Sequence, residues 1–269
     1  MSDGSGIQWT SIDAPKSIPP RWRWIGFVIA LAVVAGLVGF ALVEGDKIVR
    51  GIAGDVVKSG VSSALQLPEG QDVDVDLGEG LLVFQAATGS IDSVDVTIPG
   101  ATFGPATGTL QLAVEGVALD PSAPVKTLVA RVELDADNFS KFAGYLSSAP
   151  LNAVTLGSDA VGIGADVGGQ QVTASLTPSV ADGAVVFTPG TVTVGDVATP
   201  AAEFLAGPLG AAAGPLLTST ALCVADYLPK SLTVTDASVA GDHIVITASG
   251  NDVRLTGLGS KGTCEVPAA

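Results

Sequence analysis

His243 is the single histidine of this 269-residue chain, and it stands beside the turn pair Gly241-Asp242. A serine–histidine–aspartate relay would need it, yet no Gly-x-Ser-x-Gly elbow occurs to present the serine. A histidine exposed at a surface turn is the simpler reading. Asp72, Asp74 and Asp76, followed by Glu79, put three carboxylates on one face of an extended segment. Hard oxygen ligands of this kind suit calcium. A helix–loop–helix calcium loop also needs a glycine at its sixth position and a late acidic ligand, and Leu77 and Val83 stand there instead. A solvated edge strand accounts for the same residues, because charge discourages edge-to-edge pairing. The sequence has no Walker loop, no His-Glu-x-x-His and no Cys/His zinc spacing. No catalytic residue, metal ligand or cofactor site is expected, and the chain reads as non-enzymatic.

The elements that would carry any function begin with a long apolar run. Ile25 to Val43 is 19 residues without a charge. At ~1.5 Å per residue it would span roughly 28 Å, close to the ~30 Å hydrocarbon core of a bilayer. Trp22 and Trp24 stand just before it, where indole rings favour the membrane interface. Lys16, Arg21 and Arg23 precede the run, while Glu44 and Asp46 follow it. Positive flanks stay inside, so residues 1–24 are expected in the cytoplasm, 25–43 across the plasma membrane, and 44–269 as one extracytoplasmic domain. The rival reading is a cleaved signal peptide, with Gly39-Phe40-Ala41 as its cut site, although such peptides carry shorter apolar regions of about 7–15 residues.

The 226 residues after Val43 suffice for a substantial core. They hold 9 of the 12 basic and 25 of the 27 acidic side chains, a net charge of −16. That balance excludes nucleic acid as a partner and excludes an electrostatic grip on anionic headgroups. A lipid would have to be held by its acyl chains. Cys223 and Cys264 both lie in this region. In an oxidising compartment the pair reads as one disulfide, with two buried free thiols as the alternative. A bridge closing about 40 residues would stabilise the fold by roughly 4 kcal/mol in the chain-entropy model.

Residues 46–66 have helical periodicity. Ile48, Ile52 and Val56 form one series, Val49, Val57 and Val61 join another, and Lys47, Arg50, Asp55 and Lys58 fall between. This helix is expected to pack on a sheet. From 72 to 198 the period drops to two, in Val94, Val96 and Ile98, in Leu110, Leu112 and Val114, and in Leu128, Ala130, Val132 and Leu134. Val161 to Val167 and Val172 to Leu176 continue the pattern. Gly168-Gly169, Asp182-Gly183 and Gly241-Asp242 are two-residue hairpin signals. Each strand therefore has one apolar and one polar face, as in an antiparallel sheet. A short helix is expected near Asp137, with Phe139, Phe142, Tyr145 and Leu146 at helical spacing.

Phe204 to Ala225 lacks charge but contains Gly207, Pro208, Gly210, Gly214 and Pro215. A second membrane span with those residues would leave backbone groups poorly satisfied in lipid. A kinked helical segment buried against the sheet is the better reading. A last hairpin is expected from Leu232–Val239 and Ile244–Ala248. The fold class is α+β, mainly β.

Leu222-Cys223-Val224-Ala225-Asp226-Tyr227-Leu228-Pro229 and then Ser231 to Thr235 resemble the actinobacterial LmeA-like family of phospholipid-binding envelope proteins. Gly241-Asp242, Ile244 to Gly250, Cys264 and Val94 to Pro99 add to the likeness, which covers roughly residues 44–269. The resemblance implies a tubular lipid-binding (TULIP-like) arrangement, in which a curved antiparallel sheet wraps helical segments and leaves an apolar groove. Some members act in building mannose-bearing lipoglycans. The implied partner is a phospholipid or another acyl-chain lipid; no lipid-contact motif carries over residue by residue, and the groove is expected on the apolar face that alternation gives: Val94, Val96, Ile98, Leu110, Leu112, Val114, Leu128 and Val132. A domain that fills its own core and serves as a non-enzymatic scaffold is the alternative.

Overall fold

The computed structural model describes residues 48, 50–62, 67–118, 120, 122–142, 150–225, 228–255 and 260–263. They belong to one compact unit, Ile48–Ala269. The expected span 25–43, its flank 1–24, the helix residues Tyr145 and Leu146, and Cys264 lie outside the described residues. No helix among the described residues is long and apolar enough to cross a membrane.

Among the described residues, twelve strands form two antiparallel sheets. The first takes β1 (Asp74–Asp76), β2 (Ser90–Phe103), β3 (Ala106–Ala118), β4 (Val125–Asp135), β11 (Thr233–Ala240) and β12 (His243–Val253), in the order β1-β2-β3-β4-β12-β11. The second takes β5 (Ala153–Leu156), β6 (Val161–Val167), β7 (Gln170–Ala181), β8 (Ala184–Val194) and β10 (Thr220–Cys223), in the order β10-β8-β7-β6-β5. β9 (Val197–Pro200) also pairs with β8.

The three expected hairpin turns are present, and their chemistry explains them. Gly168 and Gly169 both have positive φ, as do Asp182 and Gly183. Two successive left-handed residues match the twist of the strands they join. At Gly241-Asp242 the glycine has φ +65° and meets the requirement for glycine at the first position of a type II′ turn. Two turns had no such reading in the sequence, at Gly104-Pro105 between β2 and β3 and at Gly195-Asp196 between β8 and β9.

Two expectations need correction. The β strands do not make a single curved sheet. Residues 153–200 close on one another through tight local turns, and among the described strands the one long-range partner they accept is β10. Alternation specifies which face is apolar but not which strands join. Residues 204–225 are also not one kinked helix. They run through the short helices Ala201–Leu205 and Gly210–Ala213, a single 3-10 turn at Gly214–Leu216, and then the strand β10. Glycine and proline cut the helix into pieces, and Thr220–Cys223 gains a full partner in Phe187–Ala184 of β8.

Three further helical pieces pack against the strands. α1 (residues 50–62) turns Ala53, Val57 and Val61 toward the cluster of Val73, Leu77, Leu82, Val94, Val96 and Ile98. α2 (Leu82–Thr88) leads into β2. α3 (Ala136–Ser140) starts at Asp135, whose carboxylate accepts the Asn138 backbone N–H at 2.7 Å and so caps the helix. That cap positions Phe139, 1% exposed, with its ring centroid 5.7 Å from Phe187 of β8. The Phe139–Phe187 contact is part of the main core, which joins the second sheet to β4, β11 and β12.

Candidate functional site

His243 and the Asp72–Asp76 carboxylates, weighed above for chemistry, lie on separate elements. His243 Nδ1 lies 2.7 Å from Asp242 Oδ1, at the exposed turn. Asp74 and Asp76 are exposed on β1, which is an edge strand of its sheet, and Asp76 Oδ1 accepts the Gly78 backbone N–H at 2.9 Å. Among the described residues no group of three or more His, Cys, Asp or Glu could hold a metal ion. None of the described cysteines is free, and Cys223 at the end of β10 is disulfide-bonded.

What the first sheet does assemble is an apolar face in register. Val94 stands opposite Val114, and Val114 opposite Leu128. Val96, Leu112, Ala130 and Ala248 make the next row. Ile98, Leu110, Val132 and Ile246 make a third. Successive rows are two residues apart, so the pleat keeps them on one side.

This face is only partly covered. Two satellite clusters, one around Val94 and Val96 and one around Leu128 and Ala248, share the half-buried Leu110, Leu112, Val114 and Val117 without merging. Between them is a cavity of about 610 Å³. Seven of the eight residues expected on the groove face line it: Val94, Val96, Leu110, Leu112, Val114, Leu128 and Val132. Ile98 does not. It is fully buried, in the same cluster as Val94 and Val96.

The other walls include elements expected as helices and one strap that was not expected. Val57, Gly60 and Val61 of α1 form one, and Phe139 and Phe142 close another. A strap at 228–232 contributes Leu228, Pro229 and Leu232. Gly262 N donates to the Leu228 carbonyl at 3.0 Å, and Lys230 N donates to the Ser260 carbonyl at 2.8 Å, which ties the strap to the chain near its end. Ile246 and Ala248 were findable, because they extend the alternation of β12 onto the same rows.

The lining decides what the cavity can hold. Among the described residues lining it, Thr102 has the one side-chain hydroxyl and none carries a charge. It has about four times the volume of an apolar cavity of ~150 Å³ that takes up benzene. Kept empty, 610 Å³ would cost up to about 15 kcal/mol at ~24 cal/mol per Å³, an upper bound because part of it opens to solvent. That equals the whole net stability of a typical domain, roughly 5–15 kcal/mol. Water finds too few polar partners there to fill it well. Hydrocarbon does fit. A second hollow, between α1 and residues 67–72, is polar and holds Asp55, Lys58, Glu69 and Asp72, with Leu67 common to both.

A mainly β protein with a large, uncharged, hydrocarbon-compatible cavity belongs to the class of proteins built to hold apolar ligands. More narrowly, residues 45–249 match the family model described as LmeA-like phospholipid-binding, and the chain belongs to that family. Neither a curated protein nor a solved structure matches it.

Proposed function

We propose that this protein is a membrane-anchored, extracytoplasmic lipid binder of the bacterial cell envelope, and that it holds the acyl chains of a phospholipid in the cavity under α1 and the strap. The apolar lining carries the reading, and the family's phospholipid-binding description supports it. The headgroup stays outside, since no described lining residue carries a positive charge to pair with its phosphate. Residues 25–43 are the anchor, with 1–24 cytoplasmic. Cys223 pairs with Cys264, a bond that fastens the two ends of the segment holding the strap. The role is carriage or presentation of lipid without catalysis, in support of lipoglycan or envelope assembly.

Native mass spectrometry of the full-length protein, released from detergent micelles, tests this directly. Adducts of phospholipid mass are expected on the protein as purified or after incubation with phospholipid vesicles. A chain that stays lipid-free in both conditions would instead be the scaffold with a dry interior.

A further inference from the structure

α1 has two apolar series that point in different directions. Ala53, Val57 and Val61 face the body of the domain. Ile48, Ile52 and Val56 face away and are 66%, 62% and 67% exposed. At 3.6 residues per turn the centres of the two series lie about 140° apart around the helix. The helix cannot roll to hide the outer series. Arg50, on the inward side, donates to the Gly78 carbonyl at 2.8 Å and also to the Gly80 carbonyl, which fixes the rotation. Local propensity does not explain the stripe either. β-Branched residues and Gly51, Gly54 and Gly60 are weak helix formers, so the helix depends on what covers it.

We propose that Ile48, Ile52 and Val56 form a contact surface for the outer leaflet of the membrane that anchors the chain. This rests on the anchored lipid-binder reading of the cavity. The expected span ends at Val43, five Cα steps before Ile48, a tether of at most about 18 Å. A helix so close to a span lies at the level of the headgroups, where an exposed apolar stripe is buried favourably. Charge points the same way. Residues 44–269 carry a net charge of −16 and are repelled by anionic headgroups, so their seat on the bilayer has to be apolar. The inner side of the same helix, through Val57, Gly60 and Val61, is a wall of the cavity. The bilayer and the cavity are then separated by one helix, about 10 Å across. α1 is the partition a lipid must pass, and its two faces serve the two environments.

The test uses the full-length protein, native disulfide intact, in vesicles of phosphatidylcholine and phosphatidylglycerol. An environment-sensitive fluorophore is attached at Ile52→Cys, and in a second sample at Val197→Cys on β9, where the native residue is 68% exposed. Flotation with the vesicles is checked first, and protein that does not float overturns both the anchor and the contact. The label at 52 is expected to be quenched several-fold more by nitroxide-bearing lipid than the label at 197, and to be protected from aqueous iodide. Equal iodide quenching at both positions overturns the contact. Shielding at 52 without lipid quenching, together with cross-linking between copies, overturns it in favour of a second copy of this chain. Bound phospholipid is measured on the same samples. Lipid held with residue 52 in water sinks the contact alone, whereas residue 52 in lipid with an empty cavity sinks the lipid-binding reading alone.

Discussion

Gly250 of β12 lies directly under the strap: a β-carbon placed there would come within 2.3 Å of the Ser231 carbonyl oxygen and 3.0 Å of Leu232 Cδ2. The carbonyl belongs to the backbone and cannot swing aside as a flexible side chain would. Gly250→Ala should therefore lift the strap and destabilise the domain by about 1–3 kcal/mol, the usual cost of overpacking. Gly214→Ala, with open space around its added carbon, should be near neutral. Urea denaturation of both variants checks this, and equal midpoints would mean the strap accommodates the methyl group.

A charge on the cavity wall should expel lipid. Leu112 lines the cavity, and its neighbour Gln111 belongs to the opposite face, paired with Thr97 and Arg131. An ionised group in apolar surroundings is costly unless it is paired. Leu112→Asp should lose most fluorescent-phospholipid binding, while Gln111→Asp and Thr97→Asp keep it. Val96→Asp should behave like Leu112→Asp, but Val96 is 2% exposed, so circular dichroism must first show that it folds. Unchanged binding by a folded Leu112→Asp would remove this face from the lipid site.

On the proposed Cys223–Cys264 pairing, thiol titration of the denatured, unreduced protein should find essentially no free thiol. Cys223→Ser should lower stability by about 4 kcal/mol in the chain-entropy model for a loop of roughly 40 residues. It should also loosen the strap, which would appear as faster amide exchange at Leu228 and Lys230. Two titratable thiols per chain would refute the pairing.

Asp135 links α3 to pH. The Asn138 backbone N–H, donated to its carboxylate, holds its pKa below the ordinary aspartate value, while partial burial opposes the shift. A carboxylate with a lowered folded-state pKa stabilises the fold above its unfolded pKa of about 3.9 and loses that contribution as pH falls through the folded value. Asp135→Ala should cost about 1 kcal/mol at neutral pH. Asp135→Asn, which keeps a capping oxygen without a charge, should be close to wild type at pH 7 and less sensitive to acid between pH 5 and 3. Denaturation curves at the three pH values decide it. Parallel acid slopes for wild type and Asp135→Asn would remove the carboxylate from the acid response.

Much of the site was legible because it is written in alternation. Val94, Val96, Leu110, Leu112, Val114, Leu128 and Val132 share a face whatever their partners, since a period of two fixes sidedness without fixing topology. Ile98 obeys the same alternation but is fully buried within its own cluster, at the end of the regular row, where the register shifts before Ala101. Two sheets rather than one could not be read, as strand pairing over long separations leaves no local signature. The helix bearing Phe139 was announced by its spacing but its place against the cavity was not, and the 228–232 strap depends on backbone bonds to residues 260–262, which no periodicity announces. On α1 the two i, i+4 series were visible, but not that one of them would be left exposed.

The nearly unbroken hydrocarbon character of the cavity has a kinetic consequence. Apart from the Thr102 hydroxyl, the described lining offers a ligand no side-chain hydrogen bond to break on leaving, so its residence time is set mainly by the exposure of its chains to water. At ~0.8 kcal/mol per methylene, one sixteen-carbon chain faces a barrier of about 13 kcal/mol and escapes within milliseconds. Two such chains face about 26 kcal/mol, which stretches escape into water to days. A diacyl cargo is therefore not in practical equilibrium with solution. On the proposed lipid-carrier reading it would change hands only where an apolar acceptor meets the mouth of the cavity, so the rate of transfer should rise with the concentration of acceptor membrane.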